Sequence, residues 1–171
     1  MEVCLKSHWD MRNEIWAHLL PEPASTEEAG FGFAKFSLQG NNCQFKLHDW
    51  IAFDDSDFIC KEGDYLHLTD EARIRVIKHA HSTDTCLVEF HSHPFPFPAK
   101  FSYADKIGLD QLVPHLWWRL KHRPFLAVVV APDDFDGIAW IESPQMPVPL
   151  KSMDDGQCVI EATGCSIGLW R

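Results

Sequence analysis

The stretch Cys86-Leu87-Val88-Glu89-Phe90-His91-Ser92-His93-Pro94 constrains the chain more than any other. Its apolar start is the kind of run that makes a buried strand. Pro94 lacks the N–H that a sheet ladder needs, so the strand ends there. Side chains alternate along a strand, so His91 and His93 share one face and Ser92 takes the other. Two imidazoles are therefore predicted side by side at a strand's C-terminal end, where α/β sheets tend to hold ligands.

The residues that follow supply negative charge. Phe95 to Lys100 is a loop in which Pro96 and Pro98 bar a helix. Ser102 opens an amphipathic segment, and Asp105, three residues on, lies on the same helix face. His91, His93 and Asp105 suit zinc with a fourth position left open, the pattern of catalytic rather than structural sites. Ser102 and Asp105 also form a helix-capping box, with Ser as N-cap and Asp at N3. Both readings stand at this point.

His-Ser-His-Pro, a short loop and then Ser-x-x-Asp together resemble the JAMM motif of MPN-domain metalloproteases. The family usually has seven residues between the second His and the Ser. Here Pro94 to Phe101 makes eight, and the extra residue falls in the Phe-Pro-Phe-Pro loop, where an insertion costs little. The family carries its catalytic glutamate on an early strand in a Glu-x-x-Gly setting, which Glu27-Glu28-Ala29-Gly30 matches with Glu27. Glu27 and Glu28 point to opposite faces, so at most one can face a metal. The matching spacing favours Glu27. Glu89, two residues before His91, is either a partner of that ring or simply a strand carboxylate, and the second reading is favoured.

The chain has 171 residues, which suits one domain with a sizeable core, and a net charge of −10. That charge argues against nucleic acid, whose phosphates it would repel. Six cysteines include no Cys-x-x-Cys pair, so a zinc knuckle is not expected and a reducing cytoplasm is. The first residues show no signal peptide, and the longest apolar run, Phe125 to Ala131, is too short to span a bilayer.

Along the rest of the chain, Ser7 to Leu20 reads as a helix capped by Ser7 and stopped by Pro21 and Pro23. Phe31, Phe33 and Phe36 mark a strand whose glycines suggest a bulge or the close approach of another backbone. A turn at Gln39–Asn42, a strand from Gln44 to Phe53, a surface loop from Asp54 to Asp64 and a short strand Tyr65–Leu68 follow. Thr69 caps a helix to about His81, with Ala72, Val76 and Ala80 as its apolar stripe. His79 and His81 lie about 200° apart on that helix, so they cannot share a ligand. A second helix runs from Ser102 to about Lys121 with Pro114 inside it. A hairpin from Phe125 to Glu142, a proline-rich connection from Ser143 to Pro149 and an edge strand within Gln157–Ala162 complete the chain.

This alternation predicts a single α/β domain over residues 1–171, with a central mixed sheet and helices on its faces. The resemblance implies the same: an MPN fold, similar to cytidine deaminase, with a curved mixed sheet flanked by helices, and a core of about residues 27–142. It further implies one zinc held by His91, His93 and Asp105, with Glu27 as general base and Ser102 as oxyanion donor. The activity it implies is cleavage after the C-terminal glycine of a ubiquitin-like protein, from a conjugate or a fusion. The short chain and terse loops look like prokaryotic members, some of which act beside ubiquitin-like modifiers in antiviral defence. The implied cleft for an extended Gly-Gly tail is bounded by the Glu27 strand, the His91–His93 strand end and the Phe95–Lys100 loop. Phe95 and Phe97 either wall that cleft or pack on the core. The alternatives are a non-catalytic MPN scaffold and a zinc hydrolase of small peptides or amides. A DNA-repair branch has Asn between its histidines and Ser-Gly after the Pro, where this chain has Ser92 and Phe95-Pro96.

Overall fold

A computed structural model describes residues 1–62 and 65–171. Gly63 and Asp64, the end of the expected surface loop, fall outside the described residues. The strands are β1 (Glu2–Lys6), β2 (Ala29–Gln39), β3 (Asn42–Ala52), β4 (Phe58–Glu62), β5 (Tyr65–Leu68), β6 (Cys86–Ser92), β7 (Phe125–Val130), β8 (Phe135–Trp140), β9 (Val148–Asp154) and β10 (Val159–Glu161). The α-helices are α1 (Trp9–Leu19), α2 (Asp70–Thr83) and α3 (Tyr103–Arg119).

The expected fold, an open central sheet flanked by helices as in the MPN architecture, is not what the strands make. β1 pairs in parallel with β3 on one side and with β9 on the other. The order β1-β3-β2-β6-β7-β8-β9 therefore returns to β1 and closes a seven-strand barrel, with β10 added to β9. The two strands that close the ring are the two that the sequence reading passed over. Both lie outside residues 27–142. β4 and β5 form a separate two-stranded pair, so part of the expected 54–64 loop is strand.

Closure explains the two buried clusters. One takes residues from all seven barrel strands, including Leu5, Phe45, Phe90, Val128, Phe135, Ala139 and Met153, and so fills the interior. Ile15 and Leu19 of α1 pack with it. The other takes the opposite faces of β2, β6, β7 and β8, namely Phe31, Phe33, Leu87, Ala127, Val129 and Trp140, and covers them with α2 and α3. Strands buried on both faces lose the polar alternation of a half-exposed sheet, which is why Phe125–Val130 is apolar throughout. Full burial of each such aliphatic side chain contributes about 1.5–3 kcal/mol. The glycines of β2 serve close approach: a Cβ on Gly30 would meet the Ile51 carbonyl oxygen at 2.7 Å. The expected bulge lies between Phe33 and Ala34.

The helices follow their local signals. His8, not Ser7, is the N-cap of α1. Thr69 Oγ1 accepts from Ala72 N at 3.1 Å and starts α2, whose Ala72, Val76 and Ala80 are buried. Ser102 caps α3, which buries Leu109, Val113 and Leu116 and contains Pro114. No helix among the described residues is long and apolar enough to cross a membrane.

Candidate metal centre

β6 supplies the centre's frame. It pairs in parallel with β7 and antiparallel with β2, placing His91 opposite Ala29. Leu87, Glu89 and His91 share the face covered by α2 and α3, while Ser92 points into the barrel wall and is fully buried. The ladder with β2 continues one step further: Ser92 N donates to the Glu28 carbonyl at 2.9 Å, and Glu28 N donates to Ser92 Oγ at 3.0 Å. That step brings Glu27 level with His93. His93 N donates to the Val130 carbonyl at 2.8 Å, so the residue before Pro94 still holds to β7.

α3 is delivered to the same point by a pinned loop. Ala99 N donates to Asp134 Oδ1 at 2.8 Å, and Phe101 N to Ser166 Oγ at 2.9 Å. Phe101 is buried beside the His91 ring, with centroids 5.4 Å apart. Phe95–Pro98, between β6 and α3, is exposed. The expected capping box is present. Ser102 Oγ accepts from Asp105 N at 3.1 Å, and Ser102 N donates to Asp105 Oδ2 at 2.6 Å. The same carboxylate reaches the imidazoles, Oδ1 to His91 Nε2 at 3.6 Å and Oδ2 to His93 Nε2 at 3.3 Å. Ser102 Oγ accepts through a lone pair, which leaves its proton to give.

His91, His93 and Asp105 each offer one ligand atom, and these atoms lie within 4.8 Å of one another. Nε2 of His91 and Nε2 of His93 are buried and make no hydrogen bond among the described residues. Two buried nitrogens aimed with a carboxylate at one point fit a small metal ion, because a ligating imidazole presents a bare lone pair. This group could hold a metal ion.

Of the two readings of Glu89, the structure shows the less favoured one. Its Oε1 lies 3.0 Å from His91 Nδ1, so it is a partner of that ring and not a bystander. Such a carboxylate fixes the proton on Nδ1 and turns Nε2 outward as the ligand. Strand alternation carried the signal, since Glu89, His91 and His93 are each two residues apart.

The carboxylates and imidazoles of the centre shift one another's protonation. Burial works against a charged His91, but the Glu89 and Asp105 carboxylates outweigh it and hold the imidazole well above its ordinary pKa. Burial likewise opposes a charged Asp105, but His91 and His93, with the Ser102 N–H, hold its carboxyl well below the usual range.

The two glutamates separate cleanly. Glu27 is 3% exposed, and its Oε1 lies 3.3 Å from His93 Nε2. Glu28 turns away to Lys61, whose Nζ lies 2.7 Å from both carboxylate oxygens and 2.8 Å from Asp55. The second His-x-His pair is divided as expected: His79 Nε2 lies 3.2 Å from Asp49, and His81 Nε2 lies 2.8 Å from the Arg119 carbonyl.

A cleft of about 1010 Å³ opens beside the centre, where Glu89, His91 and Asp105 line one end. It runs between α2 and α3 and is not bounded by the Phe95–Lys100 loop. Phe95 and Phe97 are exposed and line neither this cleft nor the core. Its position depends on how two helices lie on a barrel, which no local pattern states.

No protein-family model matches the chain, and no curated protein matches it. Among solved structures, it is similar to the solution structure of protein DSY2949 from Desulfitobacterium hafniense, with a TM-score of 0.51 and 12% identity over 86% of this chain and 88% of that one. At that identity the likeness concerns the fold alone, over most of both chains.

Proposed function

We propose that the protein is a zinc-dependent hydrolase of peptide or isopeptide bonds, with a JAMM-type set of side chains, that cleaves after the C-terminal glycine of a ubiquitin-like protein. One observation carries this reading: two buried, hydrogen-bond-free Nε2 atoms converge with Asp105, and the buried Glu27 carboxylate stands 3.3 Å from one of them. His91, His93 and Asp105 would hold one zinc per chain. A zinc so held supplies Lewis-acid chemistry, lowering the pKa of water from about 15.7 to about 7.

The chain's own groups do the rest. Glu27 takes the proton of the attacking water and passes it to the leaving amine. Ser102 donates a hydrogen bond from its hydroxyl to the oxygen on which charge develops as the carbonyl is attacked. Glu89 keeps the His91 ring in one tautomer and orientation. A terminal glycine suits such a site, because it brings no side chain against the helix-covered face of β6 and tolerates strained backbone angles. A cytoplasmic setting suits the six cysteines, all of them free thiols.

The test incubates the purified chain with a ubiquitin-like protein fused through its terminal glycine to a reporter. A second fusion has that glycine changed to a bulky residue. Mass spectrometry should find cleavage after the glycine in the first and none in the second, abolished by chelator and restored by zinc. Equal cleavage of both fusions would replace this reading with a general metallopeptidase.

A further inference from the structure

We propose that the cleft between α2 and α3 binds an extended, acidic stretch of the substrate polypeptide, about six residues long, that leads up to the metal centre. The bond broken at the metal end rests on the hydrolase reading above; the binding does not.

Charge is the first argument. The chain carries −10, yet the described lining of this cleft gathers Arg73, Lys78 and Arg119 with His67, His81 and His115. Away from the metal end the described lining offers Asp70 in opposition, and Asp70 is held by Arg73 at 2.6 Å. Lys78 and Arg119 have no carboxylate partner among the described residues. His81, on the last turn of α2, contacts the Arg119 carbonyl on the last turn of α3, so the two helix ends meet and bring Lys78 and Arg119 to the cleft's far end. A cationic patch on an acidic protein draws an anionic partner and repels a cationic one.

The floor argues for a polypeptide. Phe31, Ile77, Leu109 and Leu112 line it, and Ile74 stands half exposed on its wall. Apolar side chains gain from that floor, whereas a phosphate backbone does not. At the metal end Glu89 Oε2 is buried with no hydrogen-bond partner among the described residues, and it asks for a donor such as a peptide N–H. Length follows from α3. Asp105 and Arg119 line opposite ends of the cleft, and at about 1.5 Å per residue they stand about 21 Å apart along the helix. About six residues of extended chain span that distance.

The test measures fluorescence anisotropy with two labelled peptides, Leu-Asp-Leu-Glu-Gly-Gly and Leu-Lys-Leu-Arg-Gly-Gly. The chain carries Glu27→Gln, a residue that does not line the cleft, so that turnover does not consume the peptide. The acidic peptide should bind about 10-fold tighter than the basic one, and its affinity should fall as salt is raised. Lys78→Glu with Arg119→Glu should remove the preference, and the milder Lys78→Gln with Arg119→Gln should roughly halve it on a logarithmic scale, with circular dichroism unchanged in both. Equal binding of the two peptides overturns the proposal, as does a preference that survives the double reversal. Tighter binding of a six-nucleotide single strand than of the acidic peptide overturns it in favour of nucleic acid. Selective binding together with intact fusions in the cleavage assay above would leave this proposal standing and remove the hydrolase reading alone.

Discussion

Replacing Asp105 by asparagine separates two jobs that one carboxylate does. As N3 of the capping box it accepts from Ser102 N at 2.6 Å, and the amide oxygen of asparagine keeps that acceptor. What is lost there is a negative charge in the first turn of α3, about 0.3–1 kcal/mol. In a chain of 171 residues that lowers the melting temperature by about 1–4 °C. As a ligand the carboxylate faces both Nε2 atoms at 3.3–3.6 Å, and asparagine removes the one anionic donor of the three. Zinc at about 1,000 times its dissociation constant stabilises a native site by about 4.1 kcal/mol, which is about 8–16 °C here. Wild-type protein should therefore hold about one zinc per chain after dialysis and melt higher with it. Asp105→Asn should fold, melt lower without metal because the cap charge and the pairing with the imidazoles both go, and lose both the zinc and most of the zinc-induced rise. Elemental analysis by plasma mass spectrometry and a pair of melts, with zinc and with chelator, make the measurement. An Asp105→Asn protein that keeps full zinc and the full rise would reduce Asp105 to a helix cap and refute the centre.

Glu27→Gln should keep zinc and fold while fusion cleavage falls by about 10²–10⁴-fold, whereas Glu28→Gln, which only breaks the Lys61 pair, should change turnover little. The reverse outcome would mean the base is one residue along. Ser102→Ala should cost about 0.5–2 kcal/mol of stability through the lost cap and about 10²-fold in turnover, and an unchanged rate in steady-state assays would leave it a cap alone. The metal-free protein should respond to pH in a defined direction. His91 is raised above its ordinary value, so its contribution is complete below about pH 6.5 and is lost as pH rises through its folded value; Asp105 is depressed, so its contribution is present above about pH 3.9 and is lost as pH falls towards its lower folded value. Chelator-treated protein should melt lower at pH 9 than at pH 6, and Asp105→Asn should flatten that difference. A stripped wild type that is more stable at pH 9 would contradict the pairing of His91 with its carboxylates.

The centre was legible in the sequence because each part of it is local. Alternation puts His91 and His93 on one face, Pro94 ends the strand, and a Ser-x-x-Asp spacing fixes where α3 begins. The same alternation also puts Glu89 beside His91, and the sequence leaves it open between a partner and a plain strand carboxylate, because alternation alone does not show where a carboxylate turns. The barrel was not legible, because the strands that close it carry weak signals. β1 is five residues long with Glu2 and Lys6 at its ends, and β9 lies in a stretch where Pro147 and Pro149 read as a connection. Each gains its place from partners far away in the chain. The cleft was not legible for a similar reason: its walls are two helices whose spacing is set by the barrel surface between them.

The parallel pairing of β1 with β9 also sets an order of assembly. Val3 must find Leu150, and no nearer residue can complete that side of the ring. Contacts so distant along the chain form slowly, since the loop entropy is lost before the pairing is gained. Glu27, His91, His93 and Asp105 all precede β7, but the groups that pin them include the Val130 carbonyl, Asp134 and, beyond β9, Ser166. During synthesis the centre is therefore fully held only once the chain beyond β9 exists. Until β9 pairs, β1 and β8 each stand with an unpaired edge, open to any other strand that passes. β9 covers both edges at once, one against β8 and one against β1, and that last closure is where misassembly of this chain would begin.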